Sequence, residues 1–400
     1  MTRQTNIMIA CGVLIVLFAG GLRQSFGVFL NPVSIDLDIG RQVFGLVIAS
    51  QALLFGVCQP VAGMLSDRYG AFRVITAGAL LYALGLWFAG MSTSALDLYL
   101  SMGLLVGVGL SGATQVVVLG AIGKVVPNER RGTAFGIVIS AGSIGMFVFV
   151  PGAQSLLDTL GWRGSFSVAA AAIAMIPLVA IGLRAAPLAE PAGPKQSLRE
   201  AVSEAKSHSG YVLLTLGFFV CGFHVTFVGT HLPAFLADKN VSPQAAAYAL
   251  GVIGLCNVIG AYFFGRLSDR YGKKNLLVVI YFSRAVLMSL LLILPINDVT
   301  AILFGICMGL LWLATVPLTS GIVAQVFGTR HFTMLFGVVF MSHQFGAFGG
   351  AWLGGYISDV TGSYDLMWMI SIGLGLVAAL LHWPIRDQPL ARLSQEPAKA

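Results

Sequence analysis

The chain has 400 residues, 57% of them hydrophobic and only 10% charged, with a formal net charge of +7 and a mean hydropathy of +0.88. Soluble globular domains carry about 25% charged residues, so this composition excludes a water-soluble fold and leaves an all-α membrane protein. The surplus positive charge does not mark a nucleic-acid partner, because it follows membrane topology instead.

Twelve apolar stretches have about the 20 residues that a membrane-spanning helix needs: 7–31, 42–65, 73–92, 97–122, 132–157, 164–184, 211–236, 244–267, 275–295, 299–325, 332–357 and 365–384. The period-2 alternation of a membrane barrel is absent. The first span is too long for the apolar core of a signal peptide and lacks a small-residue cleavage site, so it reads as a true first helix. Within it, GLRQSFGVFLNP at 21–32 carries Arg23, well inside the apolar run. A charge at that depth costs at least ~2.5–3.5 kcal/mol, which makes an ionisable group there a functional candidate by default. No Asp or Glu occupies the middle third of any span. An arginine without an acidic partner is suited to a carboxylate brought by a substrate, held as a bidentate pair. Hydrogen bonds to helix carbonyls are the competing use.

Further along, the second span carries Gln51 and ends in GMLSDRYGAF (63–72); the fourth carries Ser111 and Gln115. The stretch 125–145, VVPNERRGTAFGIVISAGSIG, leads into the fifth span with Arg131 ahead of a small-residue pattern that lets helices approach closely. Residues 185–210 form the least apolar internal segment, a Pro/Ala/Gly linker followed by a short amphipathic helix for the membrane surface. It divides the chain into an N-terminal bundle (1–184), the linker (185–210), a C-terminal bundle (211–385) and a tail (386–400).

The two bundles repeat. GMLSDRYGAF returns as GRLSDRYGKK at 265–274, and Phe26 and Pro32 return as Phe227 and Pro233. A parallel repeat of six-helix halves is a transporter architecture, with the substrate held between the halves near the midplane. On the seventh span, His224 is the repeat-mate of Arg23, and His231 lies on the same helical face. Asn257 on span 8, Arg284 on span 9, Trp312 and Thr315 on span 10 and His343 on span 11 complete the polar candidates. Each also has a plain use in helix–helix packing. Histidines are the groups that would titrate if transport is proton-linked.

Of 23 Lys and Arg, only Arg23 and Arg284 lie deep in spans, and Arg41, Arg163 and Lys239 fall in one set of alternate loops. The others gather in the opposite loops and the termini, which by the positive-inside rule places both termini in the cytoplasm of a multi-pass cell-membrane protein. The five cysteines all lie inside spans without metal-type spacing. No nucleotide-binding loop and no pairing of nucleophile with base is present. An enzyme, a metal and a cofactor are therefore not expected.

The repeated LSDRYG loop, the twelve spans and the central linker resemble the major facilitator superfamily over nearly the whole chain. That resemblance implies two pseudo-symmetric six-helix halves. It also implies that Asp67 and Arg68 in the first loop, and Asp269, Arg270 and Lys273 in the second, lock one conformation, with Arg131 beside them as a gating residue. Residues 125–145 and GLRQSFGVFLNP are similar to segments of monocarboxylate transporters and oxalate/formate exchangers. Arg23 falls where the former carry a functional lysine, and FGVVFMSHQ (336–344) places His343 where the latter carry a substrate-contacting one. Ala261 and Asn257 stand where these families carry an arginine and an acid on helix 8.

The expectation is a monomeric secondary transporter for a small organic anion, a mono- or dicarboxylate, working by proton symport or anion exchange. An efflux carrier for drugs or neutral metabolites is the alternative; the fourth span lacks an arginine, and Met146–Gln154 fits that group's glycine-proline motif poorly. A non-transporting receptor on the same fold is the third reading.

Overall fold

In lipid every backbone polar group has to be satisfied within the protein, which leaves helices for a chain patterned like this one. The computed structural model describes residues 3–113, 115–123, 125–126, 128–184, 198–328 and 332–390, leaving out the side chains at 67, 128–133, 198–199, 201, 269 and 332–333. Among the described residues eleven helices are long and apolar enough to cross a membrane. One of them, Ala134–Leu183, has 50 residues. It would be about 75 Å long if straight, more than twice a bilayer core of about 30 Å. It turns back at Gly161, whose φ of 66° ends regular helix, and the described residues make twelve passes.

The passes are α1 (Arg3–Asp36), α2 (Arg41–Tyr69), α3 (Ala71–Gly90), α4 (Ala95–Gly123), α5 (128–160), α6 (162–183), α7 (Ser209–Asp238), α8 (Pro243–Tyr271), α9 (Lys273–Ile293), α10 (Asp298–Phe327), α11 (Phe332–Thr361) and α12 (Asp365–His382). A short helix, Leu198–Ser207, belongs to the linker.

The sequence repeat is a structural repeat. α2 and α8 each end on a tyrosine followed by a glycine in the left-handed region, Gly70 at φ 90° and Gly272 at φ 77°. Each glycine N–H caps its helix by donating to the serine four residues back, at 2.9 Å for Ser66 and 3.2 Å for Ser268. A residue with a Cβ is strained at such a φ, which explains a glycine at this point in both halves. At the other end of the bundle Ser94 and Asn297 form capping boxes for α4 and α10, again as counterparts.

The halves meet along three pairs, α2 with α11, α5 with α8, and α1 with α7. Among the described residues, the hydrogen bonds and ion pairs that join them run from mid-bundle to the end bearing the 37–40 and 239–242 turns. Gln344 Nε2 donates to Ala52 O (2.9 Å), Asn257 Nδ2 to Ser143 Oγ (2.8 Å) and Gln244 Nε2 to Asp158 Oδ2 (3.0 Å). At the rim Arg41 grips Asp238 with both guanidinium nitrogens, Nη2 donating to Oδ1 at 2.7 Å. Asp359 accepts the backbone N–H of Arg41 (3.0 Å) and Gln42 (2.7 Å), the first two residues of α2. A Cβ on Gly355 would lie 2.4 Å from Arg41 O, so the helices touch there backbone to backbone. Together these bonds close the bundle at that end.

Candidate functional site

Two discontinuous helices set the geometry of the centre. α1 runs regularly to Arg23, unwinds at Gln24–Ser25, and resumes as a 3₁₀ turn Phe26–Phe29 and a helix Leu30–Asp36. α10 unwinds at 312–314 between Asp298–Leu311 and Thr315–Phe327. The resumed segment of each has proline as its third residue, Pro32 and Pro317. Proline lacks an N–H and crowds the carbonyl four residues back, here Val28 and Leu313, which weakens regular helix beside each break. Broken backbone at membrane depth persists only where protein or a water-filled cavity satisfies it.

At the α1 break, Arg23 is the last residue of the first segment, so its charge lies at the negative end of that segment's dipole. The guanidinium carbon stands 5.0 Å from the centre of the Phe55 ring, a cation–π contact worth about 0.5–2 kcal/mol. It lies within electrostatic reach of Tyr82, whose buried hydroxyl has no hydrogen-bond partner. Arg23 is half-buried and, among the described residues, has no hydrogen-bond or ion-pair partner. Phe55 adjoins Gly56, and a Cβ at Gly56 would meet Gln344 of α11 at 2.6 Å. The arginine therefore stands beside the seam between the halves.

Around it, Gln51 on α2 donates to Met102 O (3.0 Å) in the π-helical turn Tyr99–Leu105 of α4, leaving its Oε1 buried without a partner. Gln115 is half-buried on the last segment of α4. Across the seam, His343 stacks on Phe340 at 5.3 Å with 4° between the rings, and its Nδ1 meets Gln344 Oε1 at 3.0 Å. Since Gln344 also binds Ala52 O, His343 is one hydrogen bond from the seam.

The α10 break is built differently. Arg284 of α9 is fully buried, and its Nη2 donates to both Leu311 O (2.7 Å) and Trp312 O, the uncapped carbonyls of the first segment. Its Nη1 points to Cys221 Sγ at 3.8 Å, and that thiol lies 3.1 Å from Thr315 Oγ1. Asn257 supplies the other polarity: its Oδ1 accepts the N–H of Leu313 at 2.8 Å while its Nδ2 reaches Ser143 in the opposite half. Trp312 is buried, its indole N–H without a partner.

The sequence expectation that His224, His231 and Arg284 face a central cavity is not what this conformation shows. His224 and Arg284 are enclosed within the C-terminal half, and His231, hydrogen-bonded within that half, lies against Gly45 of α2 at the seam. His224 Nε2 pairs with Ser371 O of α12 at 2.8 Å. His231 wedges between Tyr364 Oη (3.0 Å, to Nδ1) and Ala351 O (2.7 Å, to Nε2). Burial pushes the Tyr364 hydroxyl well above the usual tyrosine range, so it remains a neutral partner. The physical reason is that helical periodicity fixes which residues share a face but not which neighbour covers it.

In the repeated loops Arg68 and Arg270 lie over the rings of Tyr69 and Tyr271 at 5.2 and 5.3 Å. Lys273 Nζ donates to Gln325 Oε1 (2.8 Å) at the end of α10. The side chains of Asp67, Asp269 and Arg131 lie outside the described residues. Sequence reasoning missed the Arg41–Asp238 latch and both helix breaks. The available signals were Arg41 as one of three basic residues on its side, and the two prolines.

Two packed six-helix halves with broken helices at their centre define a membrane transporter. The Major Facilitator Superfamily pattern matches residues 12–318 and, again, 214–399; the chain belongs to that superfamily. It is 28% identical to monocarboxylate transporter 13 of Rattus norvegicus over 376 residues, 91% of this chain and 86% of that one. It is 27% identical to the uncharacterised MFS-type transporter YhjX of Escherichia coli (strain K12), with 86% of each covered. Among solved structures, a bacterial homologue of the human lysosomal transporter Spinster, inward-facing and occupied, superposes with a TM-score of 0.77 at 15% identity, covering 96% of this chain and 97% of that one. A D-xylose–proton symporter does so at 0.75 and 14%, covering 96% and 99%. These two likenesses speak for the fold.

Proposed function

We propose that the protein is a secondary active transporter that moves a small carboxylate across the cell membrane by alternating access. The observation that carries this reading is Arg23: half-buried at a helix break, beside the seam, with an aromatic ring beneath it and no anionic partner among the described residues. A cation kept in that state is compensated by what it binds, and a bidentate carboxylate is the matching anion. The similarity to monocarboxylate transporter 13 supports the same class. The positive-inside distribution puts the linker and both termini in the cytoplasm, so the sealed end faces outward and the cargo site opens inward. Arg41, Asp238 and Asp359 then form the outer gate, and the LSDRYG loops with Asp67, Arg68, Asp269, Arg270, Lys273 and Arg131 the inner one. His343 and Gln344 are the facing groups of the C-terminal half, and His343 is the group placed to exchange a proton if the transport is symport rather than anion exchange.

Reconstitution into liposomes tests this with labelled monocarboxylates, dicarboxylates and neutral metabolites, each with and without a pH gradient. Carboxylate uptake abolished by Arg23→Gln is expected. Uptake of neutral compounds alone, indifferent to Arg23→Gln, would sink the anion reading. Acceleration by an inward proton gradient selects symport, and acceleration by internal carboxylate selects exchange.

A further inference from the structure

The break in α10 sits where α8 and α9 converge and, through Asn257, the other half is in reach. Its first segment ends at Leu311 with carbonyls that regular helix no longer pairs: the Val316 N–H donates to Leu313 O (3.0 Å) and not to Trp312 O. In a bilayer interior such groups cost several kcal/mol each if left bare. Two of them, Leu311 O and Trp312 O, are taken by a single fully buried guanidinium from α9. The freed N–H of Leu313 is taken by Asn257 of α8. The same asparagine holds Ser143 of α5 in the other half.

These bonds divide into two sets. Every bond of Arg284 stays within the C-terminal half, to α10 and to Cys221 of α7. The Asn257–Ser143 bond crosses between the halves. When one half rocks against the other, the crossing bond has to break while the inner set persists. A charged fork that supplies donors to both carbonyls at once is what keeps the break open, and its Leu313 N–H presented to Asn257, in both states.

We propose that Arg284 is a positioning residue of the transport cycle: it clamps the α10 discontinuity so that Asn257 can make and release the contact between the halves. It does not bind cargo. The proposal rests on the reading of the chain as an alternating-access transporter, but not on which substrate it carries. Arg284→Lys keeps the charge yet cannot serve two carbonyls and the thiol together; Arg284→Met removes the charge; Asn257→Ala frees the Leu313 N–H without touching a charge.

The test uses the full chain in nanodiscs and liposomes. Amide hydrogen exchange across 311–316 is expected to quicken by about tenfold in all three variants, with α2 unchanged. Turnover of labelled carboxylate per folded transporter is expected to fall about tenfold in Arg284→Lys while KM stays within about twofold. Exchange at 311–316 unchanged in Arg284→Lys and Asn257→Ala overturns the clamp. So does a KM raised about tenfold at constant turnover, which would make Arg284 a substrate contact. A thermal midpoint that falls with turnover per folded molecule unchanged would reduce it to a packing role and also overturns the proposal. If the wild type carries no carboxylate, the anion reading fails, and the exchange measurement still decides the clamp.

Discussion

Arg23 and Arg284 are the two arginines deep in the membrane, one in each half, and both stand at a broken helix. They are otherwise opposites. Arg284 is completely enclosed and its charge is spent on the carbonyls of Leu311 and Trp312. Arg23 is only partly exposed, rests on Phe55, and has no hydrogen-bond or ion-pair partner among the described residues. The difference teaches that depth in a membrane does not identify a binding residue; the state of its hydrogen bonds does. A cation whose terminal nitrogens are held by the protein, as in Arg284 despite its unpartnered Nε, belongs to the scaffold, whereas one with none of them held waits for a ligand. The pseudo-symmetry sharpens this, because the repeat-mate of Arg23 is His224, whose Nε2 is held by Ser371 O while its Nδ1 is buried without a partner.

The largest effect that could break the comparison is on Arg23 itself. Arg23→Gln should lower carboxylate transport by about 10²–10³-fold, the weight of one partner of a desolvated charge pair, while its thermal midpoint stays equal to or above the wild type. A destabilised Arg23→Gln with normal uptake would make the two arginines alike. Next, Arg284→Met should lose about 2–4 kcal/mol of stability, since two buried carbonyls are left without donors at about 1–3 kcal/mol each. Chemical denaturation in detergent measures it.

A smaller effect is expected at the Arg41–Asp238 latch. Its groups are partly exposed, with side-chain exposures of 22% for Arg41 and 38% for Asp238, so the pair is worth about 1 kcal/mol. Arg41→Ala should raise the population open on that side by about fivefold, read as labelling of an Ala52→Cys reporter by an impermeant maleimide. High salt should produce part of the same shift in the wild type. Unchanged labelling would mean that the close contact at Gly355, not the ion pair, seals the end. The smallest effect is on Lys273→Ala, which removes one bond to Gln325 within the C-terminal half. It should cost about 0.5 kcal/mol in stability, read as a shift of about a degree in thermal midpoint.

Much of the architecture is legible in the sequence. Apolar stretches of bilayer length become helices because lipid offers no other partner for backbone groups. The LSDRYG repeat implied two equivalent halves, and Gly70 and Gly272 adopt the same turn. The anomaly of Arg23 was legible too, since its cost follows from depth alone. Pro32 and Pro317 could have announced the breaks, but proline also lies inside unbroken α2, α5 and α7, as Pro60, Pro151 and Pro233. One residue therefore does not decide between a bend and a break.

What only the tertiary structure decided is who satisfies whom. Sequence periodicity put His224 and His231 on one face of α7, but α11 and α12 cover that face with carbonyls and Tyr364. Arg284 was ambiguous from the sequence and resolved by distance, because its partners come from α10 and α7, far apart in the chain. Hydrophobic burial along a span is a local property, fixed by composition and by the bilayer. The satisfaction of a buried charge is a many-body one, fixed only when helices from different parts of the chain bring their donors and acceptors within about 3 Å.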